Sequence, residues 1–186
     1  LLLGSHIGSF EVLRSYAVSN YPLPIKILMY KQQAPMMVEV LNALNPNVAD
    51  TLISLDGSPS GLLKVKEAID SGTTVGLLGD RILGKGNEKT VICMLLGEPV
   101  KMSTAPVLLA SALKVPLIVF FGIYLGGNHY KIHFELLAEE VILNRKTRQL
   151  DIQAYTQQYV DILEKQMLET PYNWFNFYDY WQKNER

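Results

Sequence analysis

The sequence predicts an α/β fold in which a mixed, mostly parallel sheet is flanked by helices and ends in an antiparallel hairpin. Short apolar runs alternate with helical patterns along most of the 186 residues, as in parallel sheets with helical crossovers. Two late apolar runs instead meet at Gly126-Gly127, which indicates a hairpin turn. The length predicts a single domain over residues 1–186. The first residue is a leucine within an apolar run, so an N-terminal part is expected to be missing.

The predicted strands are short apolar runs bounded by Gly, Pro, Asn or Ser residues, which end a strand and start a turn. Their lengths suit strands better than helices. The runs are Leu1–Gly4, Pro24–Tyr30, Thr51–Leu55, Thr73–Leu78, Thr90–Leu96, Val115–Leu125 and Asn128–Leu136. Helical patterns separate most of them, so the sheet is expected to be mainly parallel.

The predicted helices have apolar residues three and four positions apart and end at helix-breaking residues. In the first helix, Phe10, Leu13 and Ala17 share one face. The last helix is the longest, and it ends at Thr170-Pro171. Helices are predicted over Ser9–Ser19, Met36–Leu44, Leu62–Asp70, Ala105–Leu113 and Asp151–Glu169.

The composition excludes several classes of protein. Hydrophobic residues make up 48% of the chain, which is enough for a core and too much for a disordered chain. The net charge of −1 gives no positive field for nucleic acid, so no nucleic-acid partner is expected. A single cysteine excludes a disulfide framework and a cysteine-rich zinc site. The longest uncharged stretches, Met102–Leu113 and Val115–Tyr130, are shorter than the roughly 20 residues of a membrane span.

His6 and Glu11 lie where the first strand gives way to the first helix, a common place for sites in α/β proteins. If Gly8 permits a bend and Ser9 caps the helix, Glu11 accepts a hydrogen bond from one imidazole nitrogen and leaves the other free as a base. The alternative is a structural histidine and a carboxylate at a helix start. Because the chain lacks the nucleophile motif G-x-S-x-G, His6 is expected to activate a hydroxyl of the substrate.

Three further motifs have competing interpretations. Gly79–Gly86 matches the phosphate-loop pattern G-x-x-x-x-G-K, but Gly takes the place of the Ser or Thr at its end and a strand pattern follows. A nucleotide-binding module is therefore only an alternative. His129, His133 and Glu135 share one face of a strand, which is more typical of a polar outer face than of a metal site. The C-terminal tail, residues 172–186, is rich in aromatic side chains and either packs back on the domain or faces lipid.

Three ordered blocks of the sequence are similar to one known family. The first is LLLGSHIGSFEVLR, which has the spacing H-x4-E from His6 to Glu11. The other two are VKEAIDSGTTVGLLGDR and LLGEPVKMSTAPVLLASALKVPLIVFFGIY. Together they resemble the bacterial late acyltransferases of lipid A biosynthesis, within the wider group of glycerolipid acyltransferases. The resemblance covers the chain from Leu1 to about Pro171.

The resemblance implies a glycerolipid acyltransferase-like α/β sandwich and an O-acyltransferase that needs no cofactor or metal. It implies that His6 deprotonates a hydroxyl of a lipid or glycolipid acceptor, while Glu11 orients His6. It also implies that a long-chain acyl group comes from a thioester of acyl-carrier protein. The enzyme is then expected to act on a membrane surface, at the cytoplasmic face of the inner membrane, with its anchor in the missing N-terminal part.

Departures from the family pattern predict a divergent branch with an acceptor other than lipid A. Lys31 stands where the family often has Arg, and Gly79-Asp80-Arg81 stands where it often has Pro-Asp-Gln. Arg81 or Lys31 is expected to bind an anionic group of the donor or acceptor, and Asp80 to hold its loop. The predicted substrate-binding residues are Lys31, Asp80, Arg81, Ser9 and Gly8. Two alternatives stay open: a lipid or thioester hydrolase with the same dyad, and a non-catalytic lipid-binding protein.

Overall fold

The computed structural model describes residues 1–12, 24–30, 51–55, 59–82 and 88–181. Its strands are β1 (Leu2–Gly4), β2 (Ile25–Tyr30), β3 (Leu52–Leu55), β4 (Thr74–Leu78), β5 (Thr90–Leu95), β6 (Glu98–Ser103), β7 (Leu117–Gly126) and β8 (His129–Ala138). Its helices are α1 (Pro59–Asp70), α2 (Ala105–Leu113) and α3 (Arg148–Glu169), and a 3-10 turn follows at Pro171–Asn173. The first predicted helix begins at Phe10 and is described as far as Val12, and the one predicted over 36–44 lies outside the described residues.

The chain divides into two compact units, one with residues 1, 3–13 and 78–186 and one with residues 2 and 14–77. The predicted fold class is confirmed, because the elements form an α/β fold with a mixed, mostly parallel sheet, flanking helices and antiparallel hairpins. The single-domain organisation stays a prediction. No helix in the described ranges has the length and apolar composition needed to cross a bilayer.

The second unit is built on parallel strands. β2 is the central strand, with β3 on one side and β4 on the other. Ile27 of β2 is in register with Leu52 of β3 and with Gly76 of β4. Burial of aliphatic side chains stabilises this arrangement. The buried residues include Ile27, Leu28, Ile53, Val65, Ala68, Val75 and Leu77.

The first unit contains the hairpin predicted around Gly126-Gly127. β7 and β8 pair in antiparallel register, and both glycines of the turn have positive φ angles, +102° and +57°. β7 lies between β1 and β8. Its neighbouring residues Phe120 and Phe121 point to opposite faces of the sheet, and both are buried. β7 is therefore covered on both faces, which explains its continuous apolar sequence.

β5 and β6 form a separate two-stranded sheet in the first unit. The sequence analysis predicts β5 but not β6, because Pro99 is unfavourable within a strand. Side chains of α3 bond to the backbone of β5 and of Leu96, which follows it. Gln157 accepts a hydrogen bond from the Met94 N–H (2.8 Å) and donates one to the Met94 carbonyl (2.9 Å), and Glu164 accepts one from the Leu96 N–H (2.5 Å). The helix thus satisfies backbone groups that an edge strand leaves open.

Candidate active site

Within the first unit, a backbone hydrogen bond joins the glycines Gly4 and Gly79. The Gly79 N–H donates a hydrogen bond to the Gly4 carbonyl at 3.0 Å. A side chain on Gly4 would place its Cβ 2.8 Å from a ring carbon of Phe120, and one on Gly79 would place it 2.5 Å from Leu3. Glycine at these two positions therefore allows the backbones to approach closely. The residues that follow the two strands, Ser5-His6 and Asp80, are brought together as a result.

The Asp80 carboxylate holds His6 by both its ring and its backbone. His6 Nδ1 lies 2.9 Å from Asp80 Oδ1 and 3.1 Å from Oδ2, and the His6 backbone N–H donates to Oδ2 at 2.9 Å. The side chain of Asp80 is 1% exposed, whereas that of His6 is 31% exposed. Because a carboxylate accepts hydrogen bonds, this contact favours the imidazole form that has its proton on Nδ1. The lone pair of Nε2 is then available as a base.

Gly8 supplies the bend between His6 and the following helix. Its φ angle is +65°, in the left-handed region that favours glycine, and an added Cβ would overlap the carbonyl of Gly122 in β7. The Gly8 N–H donates to the Asn173 carbonyl at 2.7 Å, and the Ser9 N–H donates to the Gly122 carbonyl at 2.8 Å. The backbone N–H groups of these two predicted substrate-binding residues thus bond within the protein.

Arg81 contacts the C-terminal tail. Its Nη2 donates a hydrogen bond to the Phe175 carbonyl at 2.8 Å, and its guanidinium carbon lies 5.4 Å from the centre of the Tyr178 ring. The Phe175 N–H in turn donates to the His6 carbonyl at 3.0 Å. The structure therefore brings His6, Asp80 and Arg81 together around one turn.

The tail packs back on the domain, as one of the two interpretations of the aromatic segment predicts. The Tyr180 hydroxyl donates a hydrogen bond to the main-chain carbonyl of Asp80, and Trp181 Nε1 donates to the Leu95 carbonyl at 3.3 Å. The ring of Trp174 lies 5.2 Å from that of Tyr180 and 5.8 Å from that of Trp181, centre to centre. Burial, with a further contribution from the Asp80 carboxylate, raises the pKa of Tyr180, so its hydroxyl stays a donor.

The family model of the bacterial lipid A biosynthesis acyltransferases matches residues 1–183. The chain belongs to this family. A search of curated proteins gives no match. Membership confirms the resemblance seen in the sequence, and it supports an acyltransferase of lipid metabolism with a lipid-type acceptor.

In this acyltransferase His6 Nδ1 contacts the Asp80 carboxylate, 74 positions away in the sequence. Glu11 of the H-x4-E spacing lies in the first helical residues after the bend. The orienting role of Glu11 stays a prediction, and so do the substrate contacts of Gly8, Ser9, Asp80 and Arg81. Lys31 lies outside the described residues.

The other motifs of the sequence do not join this site of the acyltransferase. His133 and Glu135 contact each other at 3.4 Å on β8, and within the described ranges no three potential ligands converge on a metal position. The loop after Ile82 lies partly outside the described residues, and the element that follows it is the strand β5. The sequence analysis missed Tyr180 and Asn173, which bond to the backbone at Asp80 and Gly8; only their place in the aromatic tail could have indicated them.

Proposed function

We propose that this acyltransferase moves a long-chain acyl group from a thioester of acyl-carrier protein to a hydroxyl of a lipid or glycolipid acceptor, with His6 as the general base. The single observation that supports this role is the contact, at 2.9 Å, between Nδ1 of the partly exposed His6 side chain and the buried Asp80 carboxylate. A fixed imidazole with one free nitrogen is the arrangement that general-base catalysis requires.

The proposed reaction needs no covalent acyl-enzyme. An acceptor hydroxyl gives its proton to His6 Nε2 while its oxygen attacks the thioester carbonyl. The tetrahedral intermediate then collapses, the carbon–sulfur bond breaks, and the departing sulfur takes the proton from Nε2. During this cycle the Asp80 carboxylate keeps the imidazole oriented and stabilises its positive charge. Glu11 is proposed as a second carboxylate that acts on His6, as the H-x4-E spacing of the family resemblance implies.

The proposal also includes where the enzyme meets its lipid acceptor. A lipid acceptor is delivered by a membrane, so we place the enzyme on the cytoplasmic face of the inner membrane. Phe177, 89% exposed, lies in the tail that also contacts Arg81, and exposed aromatic side chains suit the headgroup zone. Lys31 and Arg81 are proposed to attract an anionic group of donor or acceptor. Sedimentation of the chain with anionic vesicles but not alone would support membrane contact, and equal recovery in the supernatant would contradict it.

The decisive experiment compares His6→Ala with His129→Ala. Both variants remove an imidazole, but His129 lies exposed on β8, away from the contacts of Asp80. With acyl-carrier-protein thioester and a bacterial lipid extract, His6→Ala is expected to lose about 10²–10⁴-fold in acyl transfer. His129→Ala should keep the activity of the unmodified chain, and circular dichroism should show the same fold for all three proteins.

Two results of this experiment would contradict the proposal. Near-normal transfer by a folded His6→Ala variant would exclude His6 as the base. Release of the thiol at the same rate with and without lipid acceptor would identify water as the acceptor, and the enzyme would then be a thioester hydrolase.

A further inference from the structure

We propose that residues Trp174–Trp181, here called the C-terminal clamp, position His6 and Asp80, here called the catalytic pair. Tyr180 is the principal positioning residue. The inference rests on the proposed function, because it assigns the clamp a role in the orientation of His6 as a base. It goes beyond the aromatic composition of the tail, since it depends on which backbone groups the clamp contacts.

The clamp contacts both chain segments of the catalytic pair. On one side, the Tyr180 hydroxyl donates to the main-chain carbonyl of Asp80. On the other side, the Phe175 N–H donates to the main-chain carbonyl of His6 at 3.0 Å. Arg81, the residue after Asp80, links this segment to the clamp, because its guanidinium donates to the Phe175 carbonyl at 2.8 Å. His6, Asp80, Arg81 and Phe175 thus form a ring of contacts that includes the catalytic hydrogen bond.

The clamp is itself held firmly enough to act as a support. The rings of Trp174, Tyr180 and Trp181 contact each other edge to face, with centres 5.2–5.8 Å apart. Trp181 is bonded to β5 through the Leu95 carbonyl. Just before the clamp, the Asn173 side chain accepts from the Tyr124 N–H at 2.7 Å and donates to the Tyr124 carbonyl at 3.1 Å. The segment is therefore fixed at both ends, and the position of its hydroxyl is defined.

This arrangement gives Arg81 a positioning role in addition to the anion contact proposed above, and kinetics can separate the two roles. Its guanidinium is engaged by a carbonyl and lies over the Tyr178 ring, so the side chain already has partners within the protein. A clamp residue should change kcat, because small displacements of a base reduce the rate at a given substrate occupancy. A residue that binds an anionic substrate should instead change KM, and rising salt should reproduce the effect.

The first experiment compares Tyr180→Phe with Tyr172→Phe. Each variant removes one hydroxyl and keeps the ring, but Tyr172 is 97% exposed and contacts neither His6 nor Asp80 in the described structure. Loss of a hydrogen bond in Tyr180→Phe is expected to lower kcat about 2- to 10-fold with KM unchanged. Tyr172→Phe should leave both constants unchanged. A Tyr180→Phe variant with the kcat of the Tyr172→Phe variant would overturn the proposal.

A spectroscopic measurement separates a positioning role from a general structural one. The chain has three histidines, so the Nδ1–H signal of His6 can be identified by its absence in His6→Ala. Tyr180→Phe should broaden or shift this signal, because the Asp80 carboxylate is held less firmly, and Tyr172→Phe should not. An unchanged signal in Tyr180→Phe would overturn the proposal even if kcat fell. If the unmodified chain transfers no acyl group, the proposed function fails. The change of the His6 Nδ1–H signal in Tyr180→Phe then tests the clamp without the kinetic data.

The second experiment tests whether Arg81 and Tyr180 act through the same element. If both hold the clamp, the loss in kcat for Arg81→Met combined with Tyr180→Phe should be smaller than the product of the two single losses. Multiplicative losses, together with a KM that is raised in Arg81→Met and no longer rises with salt as it does in the unmodified chain, would assign Arg81 to substrate binding and remove it from the clamp.

Discussion

Substitution of Asp80 by Asn tests which carboxylate orients His6. The change keeps the shape of the side chain and removes its charge and one acceptor oxygen. In the structure the carboxylate receives the His6 backbone N–H at 2.9 Å and lies 2.9 and 3.1 Å from Nδ1. An amide with a single acceptor oxygen cannot satisfy the backbone and the ring equally well.

The expected magnitude follows from the hydrogen bond that Asn cannot make. A hydrogen bond to a charged group contributes about 1.5–3 kcal/mol, and each 1.36 kcal/mol of transition-state stabilisation is a factor of about ten in rate. Asp80→Asn is therefore expected to lower kcat for acyl transfer by roughly 10- to 150-fold. Asp80→Ala should lose more, because it also leaves the backbone N–H of His6 without its acceptor.

The assay measures kcat on acyl-carrier-protein thioester, with matched variants at two other carboxylates. Asp70→Asn makes the same chemical change at an exposed residue that pairs with Lys66, and it should retain full activity. Glu11→Gln should cost less than Glu11→Ala, because the amide keeps an oxygen that accepts hydrogen bonds, and less than Asp80→Asn. If Asp80→Asn is as active as Asp70→Asn while Glu11→Gln is strongly impaired, then Glu11 orients His6 and the reasoning from the Asp80 contact is refuted.

Two further predictions concern the frame around the site. Gly8→Ala should lower the free energy of unfolding in urea by about 1–3 kcal/mol more than Gly97→Ala. Both glycines have positive φ, but an added Cβ overlaps the Gly122 carbonyl only at Gly8. An equal loss of unfolding free energy in the two variants would show that the backbone shifts to relieve this overlap. Burial, with a contribution from Asp161, raises the pKa of Cys93 to about 11, so iodoacetamide at pH 8 should alkylate the folded chain at least ~10-fold more slowly than the urea-unfolded chain. Rapid labelling of the folded chain would contradict the burial of Cys93. Because the folded state favours the protonated thiol, the free energy of unfolding should fall as the pH rises from 9.0 towards 11.

The parts of the fold that depend on local sequence could be predicted. Apolar runs and helical patterns indicate their own secondary structure, so the fold class and the β7–β8 hairpin follow from residues close together in the chain. β6 could not be predicted, because Pro99 opposes a strand locally and pairing with β5 overrides that preference. Local sequence likewise predicts a bend at Gly8, but not the carbonyl of Gly122 that makes glycine necessary there.

The contact between His6 and Asp80 could not be predicted from spacing, because a spacing motif considers only neighbours along the chain. Glu11 is near in sequence, whereas Asp80 becomes a neighbour only because Gly79 bonds to Gly4 through the backbone. A different argument would have favoured Asp80. Its carboxylate follows an apolar strand directly, and a carboxylate that becomes buried there must receive hydrogen bonds to remain charged. The end of an adjacent strand provides such donors, and His6 is the residue there that offers both a backbone N–H and a ring nitrogen. Burial thus explains why the Asp80 carboxylate contacts His6, whereas the orienting role of Glu11 stays a prediction.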